Sequence, residues 1–286
     1  MALSGRIWPR LASEMRRVLP LAAARDLSSA QKFLDVAVNE KTGVSTVTMQ
    51  RPPVNSLNLE LLQELARTLD RLRSDNSRGM ILTSASQTIF SAGLDLFEMY
   101  KPDQERVRAF WTVLQDMWLS LYTTPFPTVA VINGHSPAGG CLLAMSCEYR
   151  IMLGPRFTIG LNETQLGLVA PKWFMDVMTG TVPRREAELA LTTGRLYTTE
   201  EALQSGLVDE VASDKADGIG RAEAFLARVS KIPAMGRSRT KLMFRQGPAS
   251  WLRENRQLDL EEFLRDVEHP AVQKTLGAYI ESLKRK

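Results

Sequence analysis

The stretch TVAVINGHSPAGGCLLAMSCEYRIML, residues 128–153, decides the fold. Its apolar start, 128–132, reads as a buried strand, Gly139 and Gly140 open a helix predicted over 139–147, and 149–153 reads as the next strand. A strand followed by a loop and a helix that returns to a strand is one βαβ step of a largely parallel sheet. In such sheets the loops at the carboxyl ends of the strands gather ligands.

The same step recurs on the amino-terminal side. A helix predicted over 107–122 runs through Pro125 and Pro127 into strand 128–132. Before it, Ser56 or Asn58 is placed to cap a helix in which Leu61, Leu62, Leu65, Leu69 and Leu72 recur at helical spacing, leading to a short buried strand at 79–83. Residues 33–38 and 44–49 alternate apolar and polar side chains around a polar turn, as a β-hairpin does. Beyond Pro171 the pattern turns helical, with helices predicted over 186–193, 199–205, 221–229, 234–245, 251–267 and 271–284 and a single strand near 206–211. The expected organisation is an α/β core at 31–212 and a helical region at 213–286 that covers the site or packs on another subunit.

Composition narrows the functional classes. With 286 residues, 44% hydrophobic and 24% charged, the chain has the make-up of an ordinary soluble protein. Its net charge of +4 is spread over scattered Lys and Arg residues, with no block resembling a nucleic-acid arm, so nucleic acid is not an expected partner. No apolar run is long enough to span a bilayer. Cys141 and Cys147 are too few for a disulfide framework and read as reduced, buried thiols; with only His135 and His269 beside them, no metal site is expected. Residues 1–30 differ in kind: Arg6, Arg10, Arg16, Arg17 and Arg25 alternate with apolar residues, and Glu14 is the sole acid before Asp26. That pattern predicts a mitochondrial transit peptide, cleaved between Arg25 and Gln31, and hence a matrix location.

Three pieces carry candidate chemistry: FSAGLDL at 90–96, SPAGGCL at 136–142 and LNETQLG at 161–167. Gly139 and Gly140 stand where a helix start leaves backbone N–H groups unsatisfied and the helix dipole favours negative charge, although a tight turn would use glycines equally well. The loop 91–95 opens onto a helix in the same way, with Asp95 suited either to cap that helix or to act as an acid. Glu163 lies among Ile159, Leu161, Leu166 and Val169, where an apolar pocket would raise its pKa; a first-turn helical glutamate is the local alternative. A serine hydrolase is poorly supported, because Ser136 follows His135 directly and no Gly-x-Ser-x-Gly elbow occurs.

Taken together in this order and spacing, and with RPPVNSL at 51–57, these pieces resemble the crotonase (enoyl-CoA hydratase/isomerase) superfamily over nearly the whole chain from Phe33 onward, and within it the isomerases. The resemblance implies a crotonase-like spiral of ββα units, trimeric assembly, and an acyl-CoA thioester as substrate, so that coenzyme A arrives with the substrate and no separate cofactor is needed. It implies that the N–H groups of Leu94 and Gly139 hold the thioester oxygen, that Ala92, Gly93, Leu94, Asp95 and Leu96 line the thioester path, that Asn162 contacts the acyl group, and that Glu163 moves the proton. Hydratases of the superfamily generally use two glutamates, and Leu142 stands where the first would be. The resemblance therefore implies conversion of a 3-enoyl-CoA to trans-2-enoyl-CoA rather than hydration, with a hydratase or a non-catalytic or RNA-binding relative as the alternatives.

Overall fold

In the computed structural model, residues 32–284 are described; the transit segment expected at 1–30 and its cleavage site lie outside them. Strand β1 (Leu34–Asn39) turns back through residues 40–43 into β2 (Val44–Met49), and the two pair antiparallel as their alternation predicts. Helix α1 (Leu59–Ser74) then buries its leucine stripe, and Asn58 rather than Ser56 caps it, accepting a hydrogen bond from the Leu61 N–H at 3.1 Å. The chain continues through β3 (Gly79–Ser84), the short α2 (Leu96–Met99), α3 (Gln104–Tyr122), β4 (Thr128–Ile132), β5 (Ser136–Pro137), α4 (Gly139–Ser146) and β6 (Tyr149–Leu153). After β7 (Thr158–Gly160) and a 3-10 turn (Glu163–Leu166) come α5 (Lys172–Thr179), α6 (Arg184–Thr193), β8 (Tyr197–Thr198), α7 (Thr199–Ser205) and β9 (Glu210–Ala212). Helices α8 (Lys215–Val229), α9 (Ala234–Glu254), α10 (Arg256–Glu268) and α11 (Pro270–Lys284) complete the described chain.

Six strands form the main sheet in the order β1-β2-β3-β4-β6-β9, and every pairing after the first hairpin is parallel. Strands β3 and β4 are buried along their whole length, which is why they read as unbroken apolar runs. Helix α8 packs across β3, β4, β6 and β9, while α1 and α3 pack on each other. A second, small sheet, β5-β7-β8, sits beside the first and had no signature in the sequence, because strands of two or three residues are too short for alternation to register.

Helix boundaries differ from expectation most in the carboxyl-terminal region, where the helix expected over 234–245 runs on to Glu254. Helix α8 starts at Lys215, not near 221, because Asp214 caps it at 2.9 Å from the Asp217 N–H and because Gly218 is needed where the helix presses on β4: a Cβ there would lie 2.9 Å from Val131 Cγ1. The expected helix at 251–267 is divided at Asn255 between α9, which runs straight through Gly247 and Pro248, and α10. The carboxyl-terminal helices are pinned rather than loose. The Gln273 side chain donates to the Met99 carbonyl at 2.8 Å and accepts from the Lys101 N–H at 2.9 Å, tying α11 to the end of α2, and α11 also reaches the 3-10 turn. Cys141 and Cys147 are free and buried.

Candidate active site

Two loops meet at the carboxyl ends of β3 and β4. Gly93, at φ +87°, leads the first loop past the second so closely that a Cβ on it would stand 2.9 Å from the Ala138 Cβ and 3.2 Å from the Gly139 nitrogen. A Cβ on Gly139 would in turn stand 3.3 Å from the Leu94 nitrogen. The sequence-predicted donors Leu94 and Gly139 are therefore brought side by side. Gly140 locks the crossing, because a Cβ there would be 2.6 Å from the Ser91 carbonyl oxygen.

Local pairing determines which way these donors face. Leu57 and Leu94 form an isolated parallel bridge in which Leu57 N–H donates to the Gly93 carbonyl at 2.8 Å and Asp95 N–H donates to the Leu57 carbonyl at 3.1 Å. Leu94's own N–H takes no part in that bridge. Gly139 is the first residue of α4, where no acceptor exists within the helix, and Ala138 enters it at φ 50°. Helix α4 is buried throughout, so its dipole acts in a region from which water is largely excluded.

Glu163 opens the 3-10 turn that follows β7, and β7 pairs with β5 so that the Ala138 N–H donates to the Gly160 carbonyl at 2.8 Å. The turn is thereby fastened to the Gly139 loop, and Gly167, at φ +75°, closes it by donating back to the Glu163 and Thr164 carbonyls. Glu163 is 8% exposed, and neither of its carboxylate oxygens has a hydrogen-bond partner among the described residues. Burial pushes its pKa up to about 7; its own backbone N–H pulls the other way without reaching hydrogen-bond geometry. The neighbouring Asn162 is buried, with Oδ1 likewise unpartnered. Glu163 does stand in the first turn of a helix, the place the local alternative gave it, but it is buried there with both carboxylate oxygens unpartnered among the described residues, which a favourable turn position alone does not explain.

The remaining expected residues divide by role. Asp95 is the cap of α2, accepting from the Phe97 N–H at 3.1 Å, and its second oxygen pairs with Arg51 at 3.0 Å, so it is engaged structurally. Ala92 packs beside Val54 and Ile89, and Leu96 lies partly buried against the main core. Leu142 is fully buried in α4. Trp111, Trp118 and Trp173 are core residues, and the first and third donate their indole N–H groups to Asp259 at 2.7 and 3.0 Å. His135 turns its Nδ1 to Thr158 while Ser136 Oγ is unpartnered, which removes the base a serine nucleophile would require. Asn55 had no assigned task in the sequence. At φ 49° it fastens the loops, donating from Nδ2 to Ser84 Oγ at 2.7 Å and to the Phe90 carbonyl at 3.1 Å, and its carbonyl accepts from Ser91 Oγ at 2.8 Å. An Asn after a double proline was the available signal, since Asn tolerates positive φ.

The profile of the family described as Enoyl-CoA hydratase/isomerase matches residues 39–286. The protein of Mus musculus called "Enoyl-CoA delta isomerase 1, mitochondrial" is 44% identical over 260 residues, 90% of this chain and 89% of the relative. Its Homo sapiens namesake is 43% identical over 244 residues, 85% and 80% respectively. The crystal structure of human mitochondrial delta3-delta2-enoyl-CoA isomerase superposes with a TM-score of 0.86 at 42% identity, covering 88% of this chain and 98% of that one. An enoyl-CoA hydratase from Bacillus halodurans superposes at 0.78 with 25% identity, over 86% and 100% of the two chains. The α/β fold expected from the sequence is the one shared with these structures.

Proposed function

The chain belongs to the enoyl-CoA hydratase/isomerase family, and from that premise we propose that it moves the double bond of 3-cis- or 3-trans-enoyl-CoA thioesters to the trans-2 position during the oxidation of unsaturated fatty acids. One observation carries the choice of isomerisation: among the described residues Glu163 is the single buried carboxylate with both oxygens unpartnered, and the resemblance to the family implies that Leu142 fills the position of a hydratase's other acid. Hydration has to activate water and deliver a proton to the α-carbon, for which two acids are suited. Isomerisation needs one group that takes a proton and gives it back.

The C2 protons of a 3-enoyl thioester are acidic because their removal yields a dienolate whose charge reaches the thioester oxygen. The Leu94 and Gly139 N–H groups stabilise that oxygen where charge develops, and removing one such donor costs roughly 10²–10³ in rate. Glu163, with a pKa of about 7, is poised near working pH: as carboxylate it takes the C2 proton, and as acid it returns a proton at C4. One C–H bond breaks, one forms, and the double bond shifts by one carbon with no net change in protons or electrons. Ala92 to Leu96 line the thioester path and Asn162 meets the acyl chain. With the oxyanion held by two backbone N–H groups and the proton moved by Glu163, no step calls for a Lewis acid, so we expect turnover to survive dialysis against EDTA.

The relatives' names support a mitochondrial location, and the arginine-rich start of the sequence supports import to the matrix. We place the protein in a homotrimer through its helical carboxyl-terminal region. No described helix is long and apolar enough to cross a membrane. The deciding assay follows the absorbance of the conjugated product from one series of 3-enoyl-CoA substrates, with hydratase activity measured in parallel. Isomerisation that disappears in Glu163→Gln supports the reading; full activity in that variant overturns it.

A further inference from the structure

The residue behind the Leu94 donor is Arg51. Its side chain bridges the two chain segments of the Leu57–Leu94 pairing: Nη1 donates to the Ser56 carbonyl at 2.9 Å, and Nη2 pairs with the Asp95 carboxylate at 3.0 Å. The guanidinium also lies 5.9 Å from the centre of the Phe33 ring, which helps hold its plane. Its base is fixed in turn, because the Arg51 N–H donates to Asn55 Oδ1 at 2.8 Å and its carbonyl accepts from the Asn55 N–H at 2.8 Å.

These bonds form a line. A peptide unit is planar, with its C=O and N–H pointing in opposite directions. The Ser56–Leu57 peptide accepts from Arg51 at one end and donates from Leu57 N–H to the Gly93 carbonyl, at 2.8 Å, at the other. The Gly93–Leu94 peptide receives that bond on its carbonyl and presents Leu94 N–H on its far side, toward the Gly139 loop. A positive charge at the head of two aligned peptides polarises both, and the effect is stronger in a low-dielectric surrounding. The second prong, on Asp95, holds the residue after Leu94 so that the Gly93–Leu94 plane cannot rotate. Gly93, at φ +87°, would otherwise be the flexible point of this loop.

We infer that Arg51 is a positioning residue of the site, orienting and polarising the Leu94 N–H through the Ser56–Leu57 and Gly93–Leu94 peptides without itself touching the reacting atoms. The inference rests on the isomerase reading only in taking Leu94 as a donor to the thioester oxygen.

The test uses Arg51→Met and Arg51→Lys in the full chain, with steady-state kinetics on a 3-enoyl-CoA and the infrared C=O stretch of a bound saturated acyl-CoA. Arg51→Met is expected to lower kcat by about tenfold to a hundredfold, the scale of a misplaced catalytic contact, while KM moves by less than about threefold. The thioester C=O stretch, shifted to low frequency in the wild-type complex, is expected to return part of the way toward its value in water. Arg51→Lys, which keeps one charged bond but not the fork, is expected to fall between the two; if the methionine variant fails to fold, a lower kcat at near-constant KM together with a partial return of the C=O frequency in Arg51→Lys alone carries the test. An unchanged kcat and C=O frequency overturns the inference, as does a rise in KM alone, which would mean that Arg51 holds the substrate directly. If wild type polarises the bound carbonyl but does not turn over, the isomerase reading fails and the variants' C=O frequencies still judge Arg51. If wild type binds acyl-CoA without shifting the carbonyl, both fail together.

Discussion

Glu163 is a group the fold holds at a cost. An unfolded chain would lose the carboxyl proton near pH 4.5, whereas the folded protein keeps it to about 7. Below pH 4.5 both states are protonated and the residue contributes nothing; between 4.5 and 7 the folded state binds the extra proton, so stability falls as pH rises; above 7 the full penalty of about 3 kcal/mol stands. Glu163→Gln should therefore raise stability by about that amount at pH 8 and change it little at pH 4.5, as read from denaturant midpoints at the two pH values. The same variant should lose on the order of 10²–10⁴ in turnover, the usual contribution of a positioned acid/base group. A variant that is more stable but inactive separates a strained catalytic carboxylate from a merely structural one. For the wild-type enzyme, kcat/KM should rise with pH through an apparent pKa near 7, since the free enzyme must present the carboxylate form to C2. A profile flat from pH 5 to 9 would remove Glu163 from the base role.

At the scale of elements, the site is the crossing of two strand-to-helix loops. Gly139→Ala places a methyl 3.1 Å from Leu57 Cδ1 and 3.2 Å from Leu94 Cδ2, contacts that leucine ends can relieve, and 3.3 Å from the Leu94 backbone nitrogen, which has to give by only a few tenths of an ångström. The fold should survive while the space between the two N–H groups is filled, so kcat should drop by about 10² or more with little change in melting temperature. Gly140→Ala has no such relief, because its methyl meets the Ser91 carbonyl at 2.6 Å; it should lower stability as well as activity. Away from the site, Asp259 of α10 accepts from Trp111, Trp173 and Gln115, tying α10 to α3 and α5. Burial pushes its carboxyl up while these three donors pull it back. Asp259→Ala leaves three buried donors unsatisfied and should cost on the order of 3 kcal/mol, visible as a lower denaturant midpoint at unchanged slope. What was legible in the sequence follows from the same geometry. Strands β3 and β4 could be read because burial on both faces leaves them mostly apolar, β6 from its buried end at 151–153, and α1 because one face alone is buried. Strands β5, β7 and β8 could not, being stitched by one or two pairings between distant residues such as Ala138 and Gly160. Likewise Leu94, Gly139 and Glu163 could be marked by motif, but the bridging tasks of Asn55, Leu57 and Arg51 depend on chain crossings that no local pattern records.

At the scale of the molecule, the feature the single chain leaves unresolved is the outer face of α9 and the segment leading into it. Met235 and Phe244 are 85% and 86% exposed, and Met243 and Ile232 stand out beside them. Ile232 and Phe244 line one groove with Pro233 and Gly236, and large apolar side chains left exposed together mark an interaction surface. The underside of the helix is fastened to the core: Lys241 donates to Thr124 Oγ1 and the Phe126 carbonyl and pairs with Glu148, Arg237 pairs with the same glutamate, and Arg245 donates to the Ser146 carbonyl at 2.7 Å. The helix is thus rigid before any partner arrives, so association would not have to meet the cost of ordering it. Arg237 Nη1 is buried without an acceptor among the described residues. The proposed homotrimer predicts three copies per particle in analytical ultracentrifugation at micromolar concentration. Phe244→Glu tests where the contact lies. In an isolated chain that side chain touches mainly water, so the monomer's folding free energy should change by no more than about 0.5 kcal/mol. In an assembly it would bury a charge against apolar surface, at a cost of several kcal/mol per contact, enough to shift the population to single chains. A wild-type protein that sediments as one chain would remove the trimer; a Phe244→Glu variant that stays trimeric would move the interface away from α9.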